Sequence, residues 1–345
     1  MRASRFSGEI PTLPRVAAVI PARNEAGVVG AAISSVAKQD YRGEFHIYLI
    51  DDASDDGTPE IARAAAPPEM LTVLSGAPLP SGWTGKLWAV AQGVHEAARR
   101  SPDYLLLTDA DIVHPPGGLS ELVARAELGG YDLVSWMVTL RCESPAERAL
   151  IPAFVFFFFL LYPPAWIADP RRRTAGAAGG CMLIRRNILE RIGGIERIRG
   201  ELIDDCALAR AVKQHGGRLW LGLHPDTHSI REYDTFGAIG RMISRSAFTQ
   251  LRYSTMLLAG TVLGMTATYL VPPVLAFRAN IYGAVAWVLM SLAYLPVLRY
   301  YRRPAFWAPL LPLVAIFYLA STVHSALLYW TGTGGVWKGR VQAAR

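Results

Sequence analysis

The apolar C-terminal part of the chain restricts the possible folds more than any other feature of the sequence. From about Ser254 to Trp330 the chain is nearly free of charged residues, whereas residues 15–250 carry almost all of the acidic ones. Three apolar runs lie at about 255–277, 281–298 and 305–330. A membrane-spanning helix needs about 20 apolar residues, and only the second run is slightly shorter. We therefore expect a polar globular domain in residues 15–250 and three transmembrane helices in residues 254–331; the alternative is a buried helical core.

The arginines between the apolar runs predict the orientation of the chain in the membrane. Arg299, Arg302 and Arg303 lie between the second and third runs, and the positive-inside rule assigns such a loop to the cytoplasm. The polar domain is then cytoplasmic too, on a multi-pass protein of the inner (cytoplasmic) membrane. Two short tails are expected at 1–14 and 332–345. Within the second tail, Lys338, Arg340 and Arg345 would face the opposite side, which counts mildly against this topology.

A fourth apolar run lies inside the polar domain and reads IPAFVFFFFLLYPPAWIA, residues 151–168. If this run crossed the membrane, residues 169–253 would lie on the opposite side from Asp109 and Asp111. Its Pro163-Pro164 pair also breaks a helix. A helix in the membrane interface, or one docked on the domain, keeps both halves together. We expect 151–168 to be an interfacial segment.

The formal net charge of +7 does not indicate a nucleic-acid-binding protein. A nucleic-acid-binding face would show a stripe of basic residues with interleaved aromatics, whereas the arginines here lie near apolar runs, at 171–173, 241, 245, 252 and 299–303. Anionic lipid head groups or substrate phosphates are the expected partners. The cysteines form no C-x-x-C pair and are expected to be free thiols in a reducing compartment. No signal peptide is expected, because Met1–Arg15 has no apolar core.

Residues 16–140 alternate short apolar runs with longer mixed segments. Strands are expected at 16–22, 45–51, 71–75, 104–109 and 132–139, and helices at 25–38, 57–66, 86–100 and 117–128. This alternation predicts an α/β fold with a mostly parallel sheet covered on both faces. Ligands of such sheets bind beyond the carboxyl ends of the strands. A dinucleotide site is not expected, since no G-x-G-x-x-G follows the first strand.

Polar motifs follow three of the expected strands and should converge on one crevice. These motifs are PARNE after the first strand, DDASDDGT after the second and DAD after the fourth. In the last of them, Asp109 and Asp111 stand at positions i and i+2. Two such carboxylates can share one Mg²⁺ or Mn²⁺ ion, which usually takes its remaining ligands from substrate phosphates and water. A solvated turn is the alternative for an isolated D-x-D.

Six segments, in this order and at these separations, resemble the family-two glycosyltransferases of the GT-A fold. They are VIPARNEAGVV, IDDASDDGT, GKLWAVAQG, TDADI, AAGGCMLIRR and IDDCALA. The resemblance covers about residues 16–250. With its apolar C-terminal runs the chain is most similar to the membrane-bound branch that includes ceramide glucosyltransferases, and in particular to the bacterial hopene-associated glycosyltransferases.

The resemblance implies a nucleotide-sugar donor, expected to be UDP-linked, together with the residues that bind it. Those implied to contact uracil and ribose are Pro21, Arg23, Glu25, Asp51 and Asp52. Lys86 would meet the diphosphate as a point charge, and Asp109 and Asp111 would bind the diphosphate through Mg²⁺ or Mn²⁺. The alternatives are helix capping or turn formation for Asp51 and Asp52, and a solvated first-turn lysine for Lys86.

IDDCALA and AAGG imply the groups that act on the acceptor. In the family the second acid of such a pair is the general base of an inverting transfer, so Asp205 is expected to take the proton of the acceptor hydroxyl, with Asp204 in support. The alternative is a pair of acids that stabilises a helix N-terminus. Gly179 and Gly180 would let the backbone approach the sugar and the acceptor, unless they form a plain loop before the next strand.

One family motif is altered in this chain. The family has Q-x-x-R-W, whereas RMISRSAF keeps Arg245 and has Met242 and Ser246 in place of Gln and Trp. Arg245 is still expected to bind the diphosphate, and Arg241, one turn earlier, could supply a missing contact; a solvated or lipid-facing arginine pair is the alternative. For His228 a structural role is favoured over metal or acceptor binding.

The sequence as a whole predicts an inverting, metal-dependent glycosyltransferase that moves a sugar from a nucleotide diphosphate to a lipid hydroxyl. A hopanoid or other polycyclic lipid acceptor is implied only by the subgroup resemblance. Two alternatives remain open, a processive polysaccharide synthase and a non-catalytic membrane scaffold that retains the fold. Donor hydrolysis separates an enzyme from a scaffold, because an enzyme should slowly release the sugar to water.

Overall fold

The computed structural model describes residue 10 and residues 12–333 in full, and residues 336–337 and 340–341 as backbone. Most of the expected tails, 1–14 and 332–345, therefore lies outside the described residues, as do Lys338 and Arg345. The chain forms two compact units. Among the described residues, the first unit contains those up to Leu140, Tyr162–Arg231 and those from Trp337 onward, and the second contains Arg141–Leu161 and those of Glu232–Val336.

A mixed sheet forms the centre of the first unit. Its eight strands are β1 (Val16–Ala22), β2 (Phe45–Asp51), β3 (Leu71–Ser75), β4 (Tyr104–Thr108), β5 (Ile112–Val113), β6 (Leu133–Thr139), β7 (Cys181–Arg185) and β8 (Leu219–Ser229). Their spatial order is β3-β2-β1-β4-β7-β6-β8-β5. The expected parallel arrangement holds from β3 to β4, and β6 is parallel to β8. β7 runs antiparallel to both β4 and β6.

Helices follow most of the strands. They are α1 (Ala26–Ala37), α2 (Thr58–Ala64), α3 (Gly85–Ala98), α4 (Gly118–Gly129), α5 (Pro145–Leu161), α6 (Pro164–Ala168), α7 (Arg186–Arg191), α8 (Asp204–Gln214), α9 (Phe236–Ser244), α10 (Ala247–Gln250), α11 (Thr255–Met265), α12 (Val271–Phe277), α13 (Ile281–Tyr300) and α14 (Leu311–Trp330). Short 3-10 turns span Ile195–Ile198 and Ala305–Leu310, a π-helical turn spans Thr266–Leu270, and two-residue strands β9 (Val336–Trp337) and β10 (Arg340–Val341) pair with each other. The helices expected between the first strands are confirmed as α1 to α4.

The central strands are apolar because both of their faces are covered. Every residue of β1 and of β4 is buried, and Ile20, Leu49 and Leu106 are among the largest fully buried side chains. Parallel strands buried on both faces read as continuous apolar runs. The first polar side chains therefore appear where these strands end, at one edge of the sheet.

The antiparallel strand β7 brings a glycine pair to the end of β4. Thr108 pairs with Cys181, and its hydroxyl donates to the carbonyl oxygen of Gly180 over 2.8 Å. A Cβ atom on Gly180 would lie 3.2 Å from Val138 Cγ2 and 3.3 Å from Ile112 Cδ1. Packing against Val138 and Ile112 therefore favours a small residue at position 180; its expected approach to the sugar and the acceptor stays a prediction.

The second unit is helical, and it contains two segments that the sequence assigned to the polar domain 15–250. Residues 141–161 and 232–250 belong to this unit because they bond to α14. The Tyr318 hydroxyl donates to the carbonyl oxygen of Leu150 over 2.9 Å, and the Phe248 N–H donates to Ser325 Oγ over 3.0 Å. The compact units therefore do not divide at residue 250.

Four helical segments among the described residues are long and apolar enough to cross a membrane, judged by length and composition. They are Pro145–Ala168, Thr255–Phe277, Ile281–Tyr300 and Ala305–Trp330. The last three coincide with the three apolar runs of the sequence. The first contains the run at 151–168 and is interrupted, since α5 ends at Leu161 and α6 begins at Pro164. Proline lacks the N–H that would continue the helix.

Candidate active site

A small cavity in the first unit brings together residues from distant parts of the sequence. Five of the residues predicted for the site line it, namely Pro21, Lys86, Asp109, Gly179 and Asp204. The apolar side chains Leu87, Val90, Leu107, Met182, Ile195, Ile198 and Leu208 and the buried Thr108 complete the lining. The cavity lies beside the carboxyl end of β4 and the first turns of α3 and α8. Apolar walls around a few charged groups strengthen the electrostatic interactions between those groups.

Lys86 links two of the predicted acids. Its Nζ lies 2.9 Å from Asp109 Oδ1 and 3.1 Å from Asp204 Oδ2. The N-cap of α3 places this lysine in the first turn, because Thr84 Oγ1 accepts from the Leu87 N–H over 3.4 Å. Burial lowers the pKa of Lys86, but Asp109 and Asp204 outweigh that effect and hold the pKa above its ordinary value. Lys86 is therefore a fixed positive charge between two carboxylates.

Asp205 lies in the first turn of α8, beside this ion-pair network. Its Oδ2 accepts from the Gly179 N–H over 2.8 Å, and its Oδ1 accepts from the Cys206 N–H over 2.7 Å. Burial and the neighbouring Asp204 raise the pKa of Asp205 to about 6, against the opposing effects of Lys86 and the two N–H donors. A carboxyl group with such a pKa can exchange a proton near neutral pH.

Gly179 makes close contact with Asp205. A Cβ atom at position 179 would lie 3.2 Å from Asp205 Oδ2 and 3.4 Å from Asp205 Cβ. The shorter of these distances is tighter than most Cβ contacts, so a larger residue would require the carboxylate to shift by a few tenths of an ångström. Gly179 thus favours the observed position of Asp205.

The D-A-D turn presents its two acids in different environments. Ala110, between them, is buried, and the Ile112 N–H donates to the Asp109 carbonyl oxygen over 3.2 Å, closing the turn. Asp109 faces Lys86 in the cavity. Asp111 is buried and accepts a hydrogen bond from Ser229 Oγ on its Oδ2. Its Oδ1 lies 3.4 Å from Arg231 Nη2.

The carboxylates of this turn fit a hard divalent cation. Among the described residues no group of three or more His, Cys, Asp or Glu side chains has a metal-ligand arrangement. A Mg²⁺ or Mn²⁺ site of this kind nevertheless needs only one or two carboxylates, with substrate phosphates and water as the other ligands. Burial raises the pKa of Asp109, and the nearby Asp111 and Asp204 raise it further, although Lys86 opposes them. A cation added beside Asp109 would relieve this crowding of negative charge.

The loops after β1 and β2 are bonded to each other. Asn24 N–H donates to Ser54 Oγ over 2.9 Å, and Glu25 N–H donates to Thr58 Oγ1 over 2.8 Å. Arg23 Nη1 donates to the carbonyl oxygens of Asp52 and Ala53. These bonds hold Arg23, Glu25 and Asp52 in one rigid cluster next to the end of β1.

Asp51, the residue before Asp52, offers a buried carboxylate oxygen to a ligand. It is buried at the end of β2, and its Oδ2 accepts from the Ser54 N–H over 3.2 Å. Among the described residues no hydrogen-bond donor contacts its Oδ1. A buried acceptor of this kind is costly unless a ligand or water donates to it. Asp51 can therefore accept from an N–H or O–H group of a bound molecule.

The remaining residues considered for the site are Arg241, Arg245 and His228. Arg245 is in the second unit, immediately after α9, and Arg241 lies one turn before it. His228 is exposed, and its Nδ1 lies 3.2 Å from the carbonyl oxygen of Asp226. His224 stacks on Trp136 with 3.8 Å between ring centroids.

Two residues at the site were not predicted from the sequence. Ser229 and Arg231 both contact Asp111, and Arg231 Nη2 also lies 2.6 Å from Glu25 Oε1. Both stand in LHPDTHSIRE, residues 223–232, in which only His228 was considered as a candidate. The signal that could have found Arg231 is a basic residue just beyond a strand in a chain whose other strand ends carry acids.

A model of the glycosyltransferase-like family 2 matches residues 14–247 of the chain. The chain belongs to this family. Two relatives are both undecaprenyl-phosphate 4-deoxy-4-formamido-L-arabinose transferases. The Pseudomonas fluorescens enzyme is 31% identical over 182 residues, 51% of this chain and 48% of the relative. The Pseudomonas paraeruginosa enzyme is 26% identical over 292 residues, 81% of this chain and 80% of the relative. In the first alignment the chain thus spans about half of the relative's length.

A solved structure supports the same fold. The mannosyltransferase PcManGT from Pyrobaculum calidifontis, in complex with GDP-Man and Mn²⁺, has a TM-score of 0.56 and 19% identity, and the match covers 92% of this chain and 88% of that one. The expected GT-A α/β domain is therefore confirmed for this family-2 glycosyltransferase. Both Pseudomonas relatives are named for undecaprenyl phosphate, and neither is named for a hopanoid lipid.

Proposed function

We propose that this family-2 glycosyltransferase transfers a sugar from a nucleotide diphosphate to a lipid acceptor at a membrane surface, with inversion at the anomeric carbon. The observation that carries the proposal is the position of Lys86 between Asp109 and Asp204 in one cavity, with Asp205 beside them. A cation-binding acid, a fixed positive charge and an acid with a raised pKa are the groups that such a transfer needs.

The donor half of the site is built from the loops after β1, β2 and β4. Asp51 Oδ1 is a buried acceptor that suits an N–H or O–H group of a nucleoside. Lys86 would meet the diphosphate as a point charge. We propose a UDP-linked donor, and a GDP-linked donor is the alternative.

Asp109 and Asp111 would hold Mg²⁺ or Mn²⁺ through their carboxylate oxygens. The ion would neutralise charge on the leaving nucleotide diphosphate. Lys86, whose pKa stays above its ordinary value, would remain protonated beside the same diphosphate. As the donor's phosphates approach Lys86, the ion pair between Lys86 and Asp204 can weaken. The charge of Asp204 is then less neutralised, and more negative charge acts on Asp205.

Asp205 would remove the proton from the acceptor hydroxyl. Its Oδ1 and Oδ2 are held by the N–H groups of Cys206 and Gly179, so the carboxylate has one fixed orientation. With a pKa raised to about 6 it is ionised at neutral pH and still basic enough to share a proton with a hydroxyl in the transition state. Asp204, which bonds Lys86, would help to fix the position of α8.

The proposed base and the names of the relatives favour different acceptors. The relatives are named for undecaprenyl phosphate, and a phosphate monoester with a second pKa of about 6 is already an anion that needs no base. An ionised Asp205 would repel such an anion, whereas it can accept the proton of a hydroxyl. The buried base favours a lipid hydroxyl, and a lipid phosphate is the second candidate.

Strand pairing in the sheet favours an interfacial position for Pro145–Ala168 over a single membrane crossing. Strand β4 precedes this segment in the chain and β7 follows it, and the two strands pair with each other. One crossing at Pro145–Ala168 would separate these paired strands, so we propose that this segment enters and leaves on the same side, as an interfacial segment does. The other three helices would then span the membrane, with the catalytic unit and Arg299, Arg302 and Arg303 on the cytoplasmic side.

The test is sugar transfer by the purified full chain in lipid nanodiscs. UDP-, GDP- and dTDP-sugars would be offered with Mn²⁺, together with either a polycyclic lipid alcohol or undecaprenyl phosphate. Asp205→Asn should lower transfer to the alcohol by about 100-fold or more and leave donor affinity unchanged. Asp226→Asn, which alters an exposed acid outside the site, is the matched control.

Two results would count against parts of the proposal. Full transfer to the alcohol by Asp205→Asn would remove the base from the mechanism. Transfer to undecaprenyl phosphate alone, unaffected by Asp205→Asn, would make the lipid phosphate the acceptor. Absence of both transfer and donor hydrolysis with every donor would favour the non-catalytic scaffold.

A further inference from the structure

We propose that Arg231 controls cation binding at Asp111, so that a divalent cation and a nucleotide diphosphate bind well only together. The inference rests on the proposed function of the site. It assigns to Arg231 the role of a positioning residue that competes with the metal ion for Asp111 in the nucleotide-free protein. Once the nucleotide is bound, the guanidinium of Arg231 can donate to the phosphates.

The sheet fixes Arg231 beside the D-A-D turn. Ile112 of β5 pairs with Ser229 of β8, and the Ile230 N–H donates to the carbonyl oxygen of Asp111 over 3.0 Å. The next residue, Arg231, donates through its own N–H to Ser229 Oγ over 3.2 Å. Three consecutive residues are therefore bonded to Asp111 or to each other, and the backbone of Arg231 is held in place.

The side chain of Arg231 contacts two carboxylates of the site, one of them closely. Its Nη2 lies 2.6 Å from Glu25 Oε1 and 3.4 Å from Asp111 Oδ1. Both carboxylates are buried, whereas the arginine side chain is 27% exposed. Glu25 thus holds the guanidinium in place with a short hydrogen bond, and Asp111 accepts a longer one from the same nitrogen.

Both oxygens of Asp111 are occupied in this arrangement. Ser229 Oγ donates to Oδ2, and Arg231 faces Oδ1. A divalent cation at Asp111 must compete with the guanidinium for Oδ1 and must also lie close to a second positive charge. Like charges a few ångströms apart repel each other strongly where water is partly excluded. Cation affinity is therefore expected to be low in the nucleotide-free protein.

A nucleotide diphosphate would remove this repulsion. Its phosphate oxygens can ligate the cation and also accept from the guanidinium, which binds phosphate through several N–H groups. The nucleotide then raises the affinity for the cation, and by linkage the cation raises the affinity for the nucleotide by the same factor. Arg231 would thus make the two ligands bind cooperatively.

The experiment measures Mn²⁺ binding directly, without an activity readout. The electron paramagnetic resonance signal of free Mn²⁺ would be titrated with the detergent-solubilised full chain, with and without UDP or GDP. Arg231→Gln removes the charge, and Arg231→Lys keeps it. Arg186→Gln is the matched control, because Arg186 pairs with Glu190 at 2.8 Å and donates to the carbonyl oxygen of Pro102.

Arg231→Gln should bind Mn²⁺ about tenfold more tightly than the unmodified protein in the absence of nucleotide, and should lose most of the cooperativity with nucleotide, within the usual range of coupling factors. Arg231→Lys and Arg186→Gln should behave like the unmodified protein. An unchanged or weaker Mn²⁺ affinity in Arg231→Gln, with an unchanged melting temperature, would overturn the inference. If that variant does not fold, Arg231→Met, which also lacks the charge, is read in the same way.

The outcomes distinguish this inference from the proposed function. If the unmodified protein binds Mn²⁺ with nucleotide and Asp111→Asn abolishes that binding, the metal site stands whatever Arg231→Gln does. If, without nucleotide, only Arg231→Gln binds Mn²⁺, and the unmodified protein binds it once nucleotide is added, the inference is supported in its strongest form. If no variant binds Mn²⁺ with any nucleotide, both the metal assignment and the inference fail.

Discussion

Asp205 shows how neighbouring groups set the chemistry of one residue. Burial and Asp204 disfavour its charged form, whereas Lys86 and the N–H groups of Gly179 and Cys206 favour it. The net result is a pKa of about 6, above the ordinary value of an aspartate. An ordinary solvated aspartate would be a weaker base, so the environment of Asp205 improves it for proton removal.

The pH dependence of transfer follows from this pKa. A base must be ionised, and a group with a pKa of about 6 is ionised above that pH. We expect kcat/KM for a lipid-alcohol acceptor to rise with pH up to about 6 and to level off above it. The measurement is the pH profile of initial rates from pH 4.5 to 8, with nucleotide affinity measured in parallel. A flat profile between pH 5 and 7.5 would contradict the role of Asp205.

Sequence motifs predicted the acids and Lys86 of the site but not Arg231. Asp109, Asp204 and Lys86 lie in motifs at the end of a strand or in the first turn of a helix. At such positions the main chain fixes the direction in which each side chain leaves the backbone. The position of Arg231 depends instead on the pairing of Ile112 with Ser229 and on an irregularity in β8, where Val138 pairs with His224 and the next residue, Thr139, pairs with His228. Neither feature has a signature in the residue pattern.

Helix α5 begins with a capping box that lies before the apolar run and could not be located from that run. The apolar run begins at Ile151, but the helix starts at Pro145. Ser144 Oγ accepts from the Glu147 N–H over 3.1 Å, and Glu147 Oε2 accepts from the Ser144 N–H over 2.9 Å. Proline at the first helical position and this reciprocal pair are typical of a helix start.

Glu147 also joins this helix start to the segment that enters the second unit from Arg231. Its carboxylate is fully buried and accepts from the Tyr233 N–H over 2.8 Å. Arg141 Nη1 lies 3.1 Å from Glu147 Oε1 and 2.9 Å from Asp234 Oδ1. One acid thus satisfies several backbone donors and one guanidinium from two separate chain segments.

Replacing Glu147 should therefore destabilise the second unit. Glu147→Ala leaves these donors without an acceptor in a buried position, and we expect a loss of at least about 2 kcal/mol in the free energy of unfolding. Glu143→Gln is the control, because its side chain is 72% exposed, and it should change stability by less than about 0.5 kcal/mol. Thermal unfolding in detergent measures both, and equal melting temperatures would refute the role of Glu147.

At the scale of the whole molecule, the order of elements along the chain does not match the order of compact units. The sequence predicted one domain over 15–250, whereas Arg141–Leu161 lies in the second unit and Tyr162–Arg231 returns to the first. Hydrophobicity alone could not reveal this division, because it marks the run at 151–168 as apolar but does not show which element that run packs against. The apolar runs, in contrast, predicted the positions of α13 and α14. A long uncharged run is stable only where its side chains are shielded from water, and few structures provide that.

The cavity with Lys86 between Asp109 and Asp204 is the feature on which the proposed function of the molecule depends. If it binds a nucleotide diphosphate through a divalent cation, the family-2 fold acts as an enzyme in this chain. If it does not, the acids and the lysine form only an internal ion-pair network, and the protein is better described as a membrane scaffold with a glycosyltransferase fold.

The measurement that decides between them is the affinity of the purified full chain for UDP, GDP and dTDP by isothermal titration calorimetry, with Mn²⁺ or with EDTA. We predict that at least one nucleotide binds with Mn²⁺, and that both EDTA and the Asp109→Asn substitution weaken its binding by about tenfold or more. Lack of binding by all three nucleotides, or equal binding with EDTA and with Mn²⁺, would contradict the proposed enzyme.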